Sequence, residues 1–271
     1  MVEEGGTTVF LNNSFAVERD GRLRTITGGT SQAPKAVMPP RDQNHWYWVG
    51  DVTLARRHRR GDLPGVRALR PRRVGLALAP QRGGQVPPQG RLDRPLSVHD
   101  LPSGNGVAWA SGILKDGPHT YVYGVEDHGS PKYMHVARVK GDSLLGAWEF
   151  LTADGTWSAD EADSARVMDG VANEYSVTKI GDGYVLITHD TTEVLSARIV
   201  AYSSCSPTGP FTGKQLLYTT PPRRAGTSSP TTPTPTPPST ATGWSSRTTS
   251  TASSTPTTTG TCRSTGPGSS T

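Results

Sequence analysis

GVAWASGILKDGPHTYVYGVED, residues 106–127, and GVANEYSVTKIGDGYVLITHD, residues 170–190, open two copies of one unit. Both begin Gly-Val-Ala, at 106–108 and 170–172. Each continues in short runs where apolar and polar residues alternate, the period of a strand with two different faces. Turn residues split the runs: Asp116-Gly117-Pro118, Gly181-Asp182-Gly183 and Ser206-Pro207-Thr208-Gly209-Pro210. Strands are predicted over 107–114, 119–125, 133–139 and 147–151, then over 171–179, 183–189, 197–203 and 214–219. Units of four short strands in tandem are the pattern of β-propeller blades. The fold class is therefore all-β, with four-stranded antiparallel blades.

Towards the N-terminus, residues 7–27 predict a hairpin turning at Asp20-Gly21. HWYWVGDV, residues 45–52, predicts an aromatic strand whose rings serve either core packing or a ligand platform. Residues 53–98 break the pattern, with eleven Arg against two Asp and neither strand nor helix period. After residue 222 the chain is Ser, Thr, Pro and Gly almost throughout. The chain thus divides into N-terminal propeller strands (1–52), an irregular Arg-rich segment (53–98), two blades (99–222) and a disordered tail (223–271).

Two readings of the off-pattern segments stay open. One is a basic disordered loop and an extracellular-type linker, since neither composition buries enough apolar surface to offset chain entropy. The other is translation out of frame. Codons exist for Val74 to Gly90 that, read one base later, give WDWRWHRNAVARFRLK, an aromatic strand pattern. Pro230 to Ala252, read one base earlier, similarly gives TYNAHAHPSEHGDRLVVSYNVNS. On that reading Trp244 and Cys262 are accidents of frame.

The net charge of +5 comes from these two segments, and the remainder is acidic. No aromatics interleave with the Arg run, so no nucleic-acid partner is expected. Two cysteines exclude a disulfide framework or a cysteine zinc site. No apolar run is long enough to span a membrane, and the acidic start VEEGG is no signal peptide. Nothing calls for a cofactor, and the chain reads as a monomer.

NNSFAVERDGRL (12–23), HWYWVGD (45–51), HTYVYGVEDHG (119–129), GVANEYSV (170–177) and SCSPTGPF (204–211) occur in that order. Together they resemble a secreted bacterial family of unknown function, related through a five-bladed propeller to arabinanase- and fructosidase-like glycoside hydrolases. The resemblance covers about two-thirds of the chain. It implies secretion, a signal peptide and a first blade that this sequence does not show. The expectation is thus an incomplete five-bladed propeller, truncated and frame-shifted, and cytoplasmic or unplaced as written.

Propeller glycosidases use one carboxyl as general acid and another as base or nucleophile. Glu174, Asp51 and Asp127 stand at strand ends or in aromatic settings that suit such roles, Glu174 most, because burial beside aromatics favours a protonated carboxyl. The competing reading of each is a turn or an interblade staple. Asn12, Asn13, Trp46, Trp48, Trp109 and Asn173 are the candidate sugar-binding residues. His189-Asp190 and His45 lack a further ligand at metal spacing, so no metal site is expected. His119 and His135 read as surface or packing residues, and Cys205 as buried or paired with a cysteine outside this sequence. Ser203 to Ser206 lack the strand–turn–helix context of a nucleophile elbow, and Gly28-Gly29 lack the helix of a phosphate loop. Two function classes follow: a carbohydrate-active enzyme, or a non-catalytic glycan-binding or surface-interaction propeller. A non-functional truncated product is the third alternative.

Overall fold

Both copies of the repeated unit fold as antiparallel meanders in which strand follows strand in space as in sequence. The computed structural model describes the backbone of residues 2–4, 7–19, 21–39, 46–53, 66–72, 82–85 and 97–221. It describes the side chains of 9–16, 21–23, 25–39, 47, 49–51, 53 and 99–221. Residues 1–220 cluster as one unit and 221–271 as another, which after Pro221 lies outside the described residues.

Three short pairs come first: β1 (Val2–Glu4) with β2 (Thr7–Val9), β3 (Phe15–Arg19) with β4 (Arg22–Ile26), and β5 (Gly28–Gly29) with β6 (Pro34–Lys35). The β3–β4 hairpin pairs Arg19 with Arg22 and has Gly21 in its turn, in keeping with the Asp-Gly signal. A four-stranded sheet follows, formed in order by β7 (Trp46–Thr53), β8 (Val66–Arg72), β9 (Arg82–Gln85) and β10 (Ser97–Asp100). The second sheet is β11 (Val107–Asp116), β12 (His119–Asp127), β13 (Lys132–Lys140), β14 (Trp148–Leu151) and β15 (Trp157–Ser158), with β16 (Met168–Asp169) also on β13. The third is β17 (Tyr175–Ile180), β18 (Gly183–His189), β19 (Arg198–Ser204) and β20 (Thr212–Thr219). The opening strands meet one another, β7 against β11 and β11 against β17. Sheets so joined along their first strands radiate as propeller blades do.

The second sheet is covered on both faces, and alternation along its strands sorts its side chains into two cores. Val107, Trp109, Val122, Ala137 and Val139 pack with Leu101, Leu144, Trp148 and Phe150 on one side. Ala108, Tyr123, Val125, Met134 and Val136 pack on the other side with Val171, Tyr175, Val177, Tyr184, Leu186 and Phe211 from the third-sheet region. Each of the Val, Leu, Met and Phe side chains contributes roughly 1.5–3 kcal/mol. Hydroxyls and carboxylates tie the same seam: Tyr175 donates to Gly124 O at 2.8 Å, Tyr123 to Pro207 O at 2.9 Å, and Lys179 and Tyr184 to the two Asp116 oxygens at 2.7 and 2.6 Å. Glycine is required where chains close in. A Cβ on Gly112 would sit 2.9 Å from Tyr175 O, and one on Gly124 would sit 2.7 Å from the Trp109 ring.

Three expectations change. The acid-rich link after residue 152 supplies β15, β16 and a 3₁₀ turn, Glu161–Asp163, so the second sheet is wider than four strands. β17 begins at Tyr175, four residues later than its alternation suggests. Within the segment read as irregular, residues 66–72 and 82–85 are strands. Backbone pairing explains this: β7 exposes a row of N–H and C=O groups that the following chain satisfies whatever its side chains. The tail from residue 222 lies outside the described residues. Cys205 is exposed and disulfide-bonded rather than buried.

Candidate functional site

Matching irregularities mark the opening strands of the first two sheets. The β7–β8 register shifts between Val49 and Val52, and the β11–β12 register shifts between Trp109 and Gly112. Gly50-Asp51 and Ala110-Ser111 are thus the bulged residues, with Ala110 in the left-handed region at φ 67°. Bulges re-aim side chains at the cost of ladder pairing. Here they bring Asp51 and Ser111 to one cavity of about 460 Å³. Glu174 and Ser176 complete it from the start of β17, with Ile187 and His189 from β18 and Ile199 from β19.

Asp51 is half-buried, and its Oδ2 accepts the Ile113 N–H at 2.7 Å. Glu174 lies in a bend just before β17 and is exposed, not sunk among aromatics as expected. The buried neighbour is Tyr175, whose hydroxyl is already bonded to Gly124. The bend is anchored twice: the Ala172 N–H donates to Thr188 Oγ1 at 2.8 Å, and Asn173 Oδ1 accepts from Lys132 Nζ at 2.8 Å.

The remaining expected residues are placed elsewhere. Asp127 is absent from the cavity lining; it accepts from Lys132 Nζ at 2.7 Å and from the Gly129 N–H at 2.8 Å. Burial pushes its carboxyl up, but the bonds from Lys132, Gly129 and Asn173 outweigh this and hold its pKa low. Asn173 reaches the site only as the neighbour of Glu174. Asn13 is a buried staple, donating to Met38 O and Tyr47 O at 3.1 Å each and accepting from Met38 N at 2.7 Å. Asn12 sits beside it in the loop before β3. Trp109 is fully buried, donates to Glu161 Oε1 at 2.8 Å and packs against Trp148 and Phe150, so no ring face is left for a sugar. The side chains of Trp46 and Trp48, and all of His45, lie outside the described residues. His119 pairs with the Tyr121 ring, and His135 is buried in packing contact with Trp109.

A larger cavity of about 870 Å³ lies between the β10 end of the first sheet and β14. Two of its acids are engaged in holding the chain: Glu161 takes the Gly104 N–H and the Trp109 indole, and Asp160 caps the 3₁₀ turn through the Ala162 N–H. The smaller cavity gathers carboxylates and hydroxyls from the opening regions of three consecutive sheets. Of the residues lining this cavity, sequence reasoning did not single out Ser111 and weighed His189 only as a metal ligand. A weak signal existed, because Gly50-Asp51 and Ala110-Ser111 follow Trp48 and Trp109 at nearly the same spacing.

The chain is similar to a Bacteroides ovatus protein provisionally assigned as a hydrolase, with 18% identity and a TM-score of 0.52 over 66% of this chain and 47% of that one. At that identity the likeness is one of fold, and the chain spans about half of that protein's length. It is also similar to a Cellvibrio cellulosa α-L-arabinanase complexed with arabinohexaose, at 13% identity and TM-score 0.34 over 60% of this chain and 55% of that one. A GH43_1 enzyme from Xanthomonas citri complexed with xylose gives 14% identity and TM-score 0.27 over 63% and 74%. No curated protein matches. The model of a domain of unknown function, DUF5005, matches residues 2–232, and the chain belongs to that family.

Proposed function

We propose that this protein is a glycoside-hydrolase-like propeller that binds a glycan where its opening strands converge and cleaves it there. The observation that carries this reading is the meeting of Asp51, Ser111 and Glu174, one from the opening region of each of three consecutive sheets, in a single cavity. Glycosidic hydrolysis needs two carboxyls flanking one bond. Glu174, exposed at the cavity and free of a rigid strand, is the proton donor to the leaving oxygen. Asp51, fixed by the Ile113 N–H, is the base or nucleophile at the anomeric carbon. The resemblance of the motifs to five-bladed propellers supports five as the full blade number.

The exposure of Glu174 favours one other reading, in which the same cavity binds a glycan without cleaving it. Incubation of the protein with a panel of plant and microbial polysaccharides separates the two. Reducing ends released by the wild type and lost in Glu174→Gln support hydrolysis; binding without release supports the second reading. Equal release by both forms removes Glu174 from the chemistry.

A further inference from the structure

Among the described residues, buried side-chain polar atoms without a hydrogen-bond partner number three: Ser111 Oγ, His189 Nε2 and Asp190 Oδ2. The Asp190 oxygen is compensated by charge, with Lys214 Nζ at 2.9 Å and Arg198 Nε at 3.4 Å. The other two have no such compensation, and both belong to residues lining the Asp51–Glu174 cavity. Leaving a buried polar group unpaired costs about 1–3 kcal/mol, and native structures keep such groups few. Their neighbours show that the local fold can satisfy its polar groups. Thr188, 2% exposed and adjacent to His189, accepts the Ala172 N–H and donates to His189 O at 3.1 Å. Ser111 is itself only 6% exposed, and its placement follows from the bulge in β11.

Both atoms are covered in the empty protein, and we infer that Ser111 and His189 turn to hydrogen-bond hydroxyl groups of one neutral sugar residue and are the specificity-determining pair of this cavity. The inference rests on the glycan reading above and names the part of the glycan that the cavity takes. A serine hydroxyl both donates and accepts, and a neutral imidazole nitrogen does one or the other according to tautomer. Asp51 and Glu174 beside them are acceptors only when ionised. A ligand matching this set must offer several groups that each donate and accept, which is the chemistry of adjacent hydroxyls. An anion would meet the Asp51 carboxylate, and a purely apolar molecule would leave every polar atom unpaired. Ile187 and Ile199 supply an aliphatic wall for the C–H face of the ring. The volume of about 460 Å³ lies within the ~300–1,000 Å³ usual for ligand pockets and has room for a sugar residue.

The pair differs from a structural pair in one measurable way. Removing an unpaired buried group does not cost the empty protein stability, so Ser111→Ala unfolds at the wild-type temperature or above it. Binding behaves oppositely. D-xylose, L-arabinose, D-galactose and D-glucose are titrated calorimetrically into the full chain, with sodium acetate as the anionic control. The expected result is that at least one sugar binds and acetate does not. That sugar then binds at least tenfold more weakly to Ser111→Ala and to His189→Ala, while His189→Gln, which keeps a donor and an acceptor, recovers part of the loss. Equal affinity in wild type and both alanine variants overturns the pair and leaves the glycan reading standing. A Ser111→Ala protein that melts well below wild type also overturns it, because the hydroxyl is then structural. Cleavage of a polysaccharide with no affinity for any of the four sugars overturns the monosaccharide assignment alone. Tighter binding of acetate than of any sugar overturns both readings.

Discussion

The Asp51 carboxylate reaches across from β7 to accept the Ile113 N–H of β11 at 2.7 Å, so the opening strands of two neighbouring sheets are locked by a side chain that also lines the cavity. One residue therefore has a structural task and, on the proposed function, a chemical one. Replacing Asp51 by Ala leaves a part-buried N–H unpaired and lowers stability by about 1–3 kcal/mol. Asp51→Asn keeps an acceptor for Ile113, and is expected to hold stability to within about 1 kcal/mol while abolishing glycan cleavage. Urea unfolding of both variants, beside wild type, checks the ordering.

The packing of β11 side chains over β12 within the second sheet depends on a missing side chain. A methyl at Gly124 would meet Val107 Cγ1 at 2.6 Å and the Trp109 ring at 2.7 Å, and both neighbours are buried. Gly124→Ala is expected to lower the unfolding free energy by about 1–3 kcal/mol through overpacking. Wild-type stability in this variant would mean that Trp109 is less tightly held than its contacts with Trp148 and Phe150 indicate.

Glu174 stands in a bend, and its orientation depends on Asn173, which Lys132 holds while also pairing with Asp127. Lys132→Met and Asp127→Asn are expected to lower kcat on any glycan substrate several-fold with little change in KM, because they loosen the acid and leave the sugar contacts intact. A change confined to KM would place these residues in binding instead.

Acid should unfold the protein through groups whose protonation the fold resists. Burial lowers the pKa of His135, against the opposing pull of Glu126, so its contribution fades as pH falls below the unfolded value of about 6.5. Glu126 is held well below the carboxylate range by Arg166 first, against burial, with His128 and His135 adding to it. Burial raises Asp190, but Thr192 and Lys214 pull it down to about 2. For a depressed carboxyl the stabilisation is complete above the unfolded pKa, near 4, and is lost as pH falls through the folded value. Stability is therefore expected to drop in two stages, a shallow one below pH 6.5 and a steeper one below pH 4. His135→Gln should remove the first and Asp190→Asn flatten the second. A stability curve level from pH 7 to pH 3 would contradict this.

Much of the fold was legible in the sequence because alternation and turn chemistry agree over 106–220. The predicted strand 183–189 is β18 residue for residue, and the predicted 119–125 falls two residues short of β12. β15 and β16 escaped because two-residue strands have no period to detect. β8 and β9 escaped because their pairing belongs to the backbone, while Arg-rich composition speaks only of side chains. Asp51 and Glu174 could be named from local setting, and the structure brings both to one cavity. Trp109 misled, since an aromatic on an opening strand reads alike as platform or core. Ser111 could not be found from pattern, because a bulge decides which way it points.

The central claim is that Glu174 donates the proton to the leaving oxygen and that Asp51 acts at the anomeric carbon. The most direct test compares a natural glycan substrate with its 2,4-dinitrophenyl glycoside, whose leaving group departs without protonation. On the natural substrate Glu174→Gln should lose about 10²–10⁴-fold in kcat/KM, the usual worth of general acid catalysis. On the dinitrophenyl glycoside the same variant should stay within tenfold of wild type, while Asp51→Asn loses activity on both. Equal losses for Glu174→Gln on the two substrates, or full activity of Asp51→Asn on either, would contradict the account.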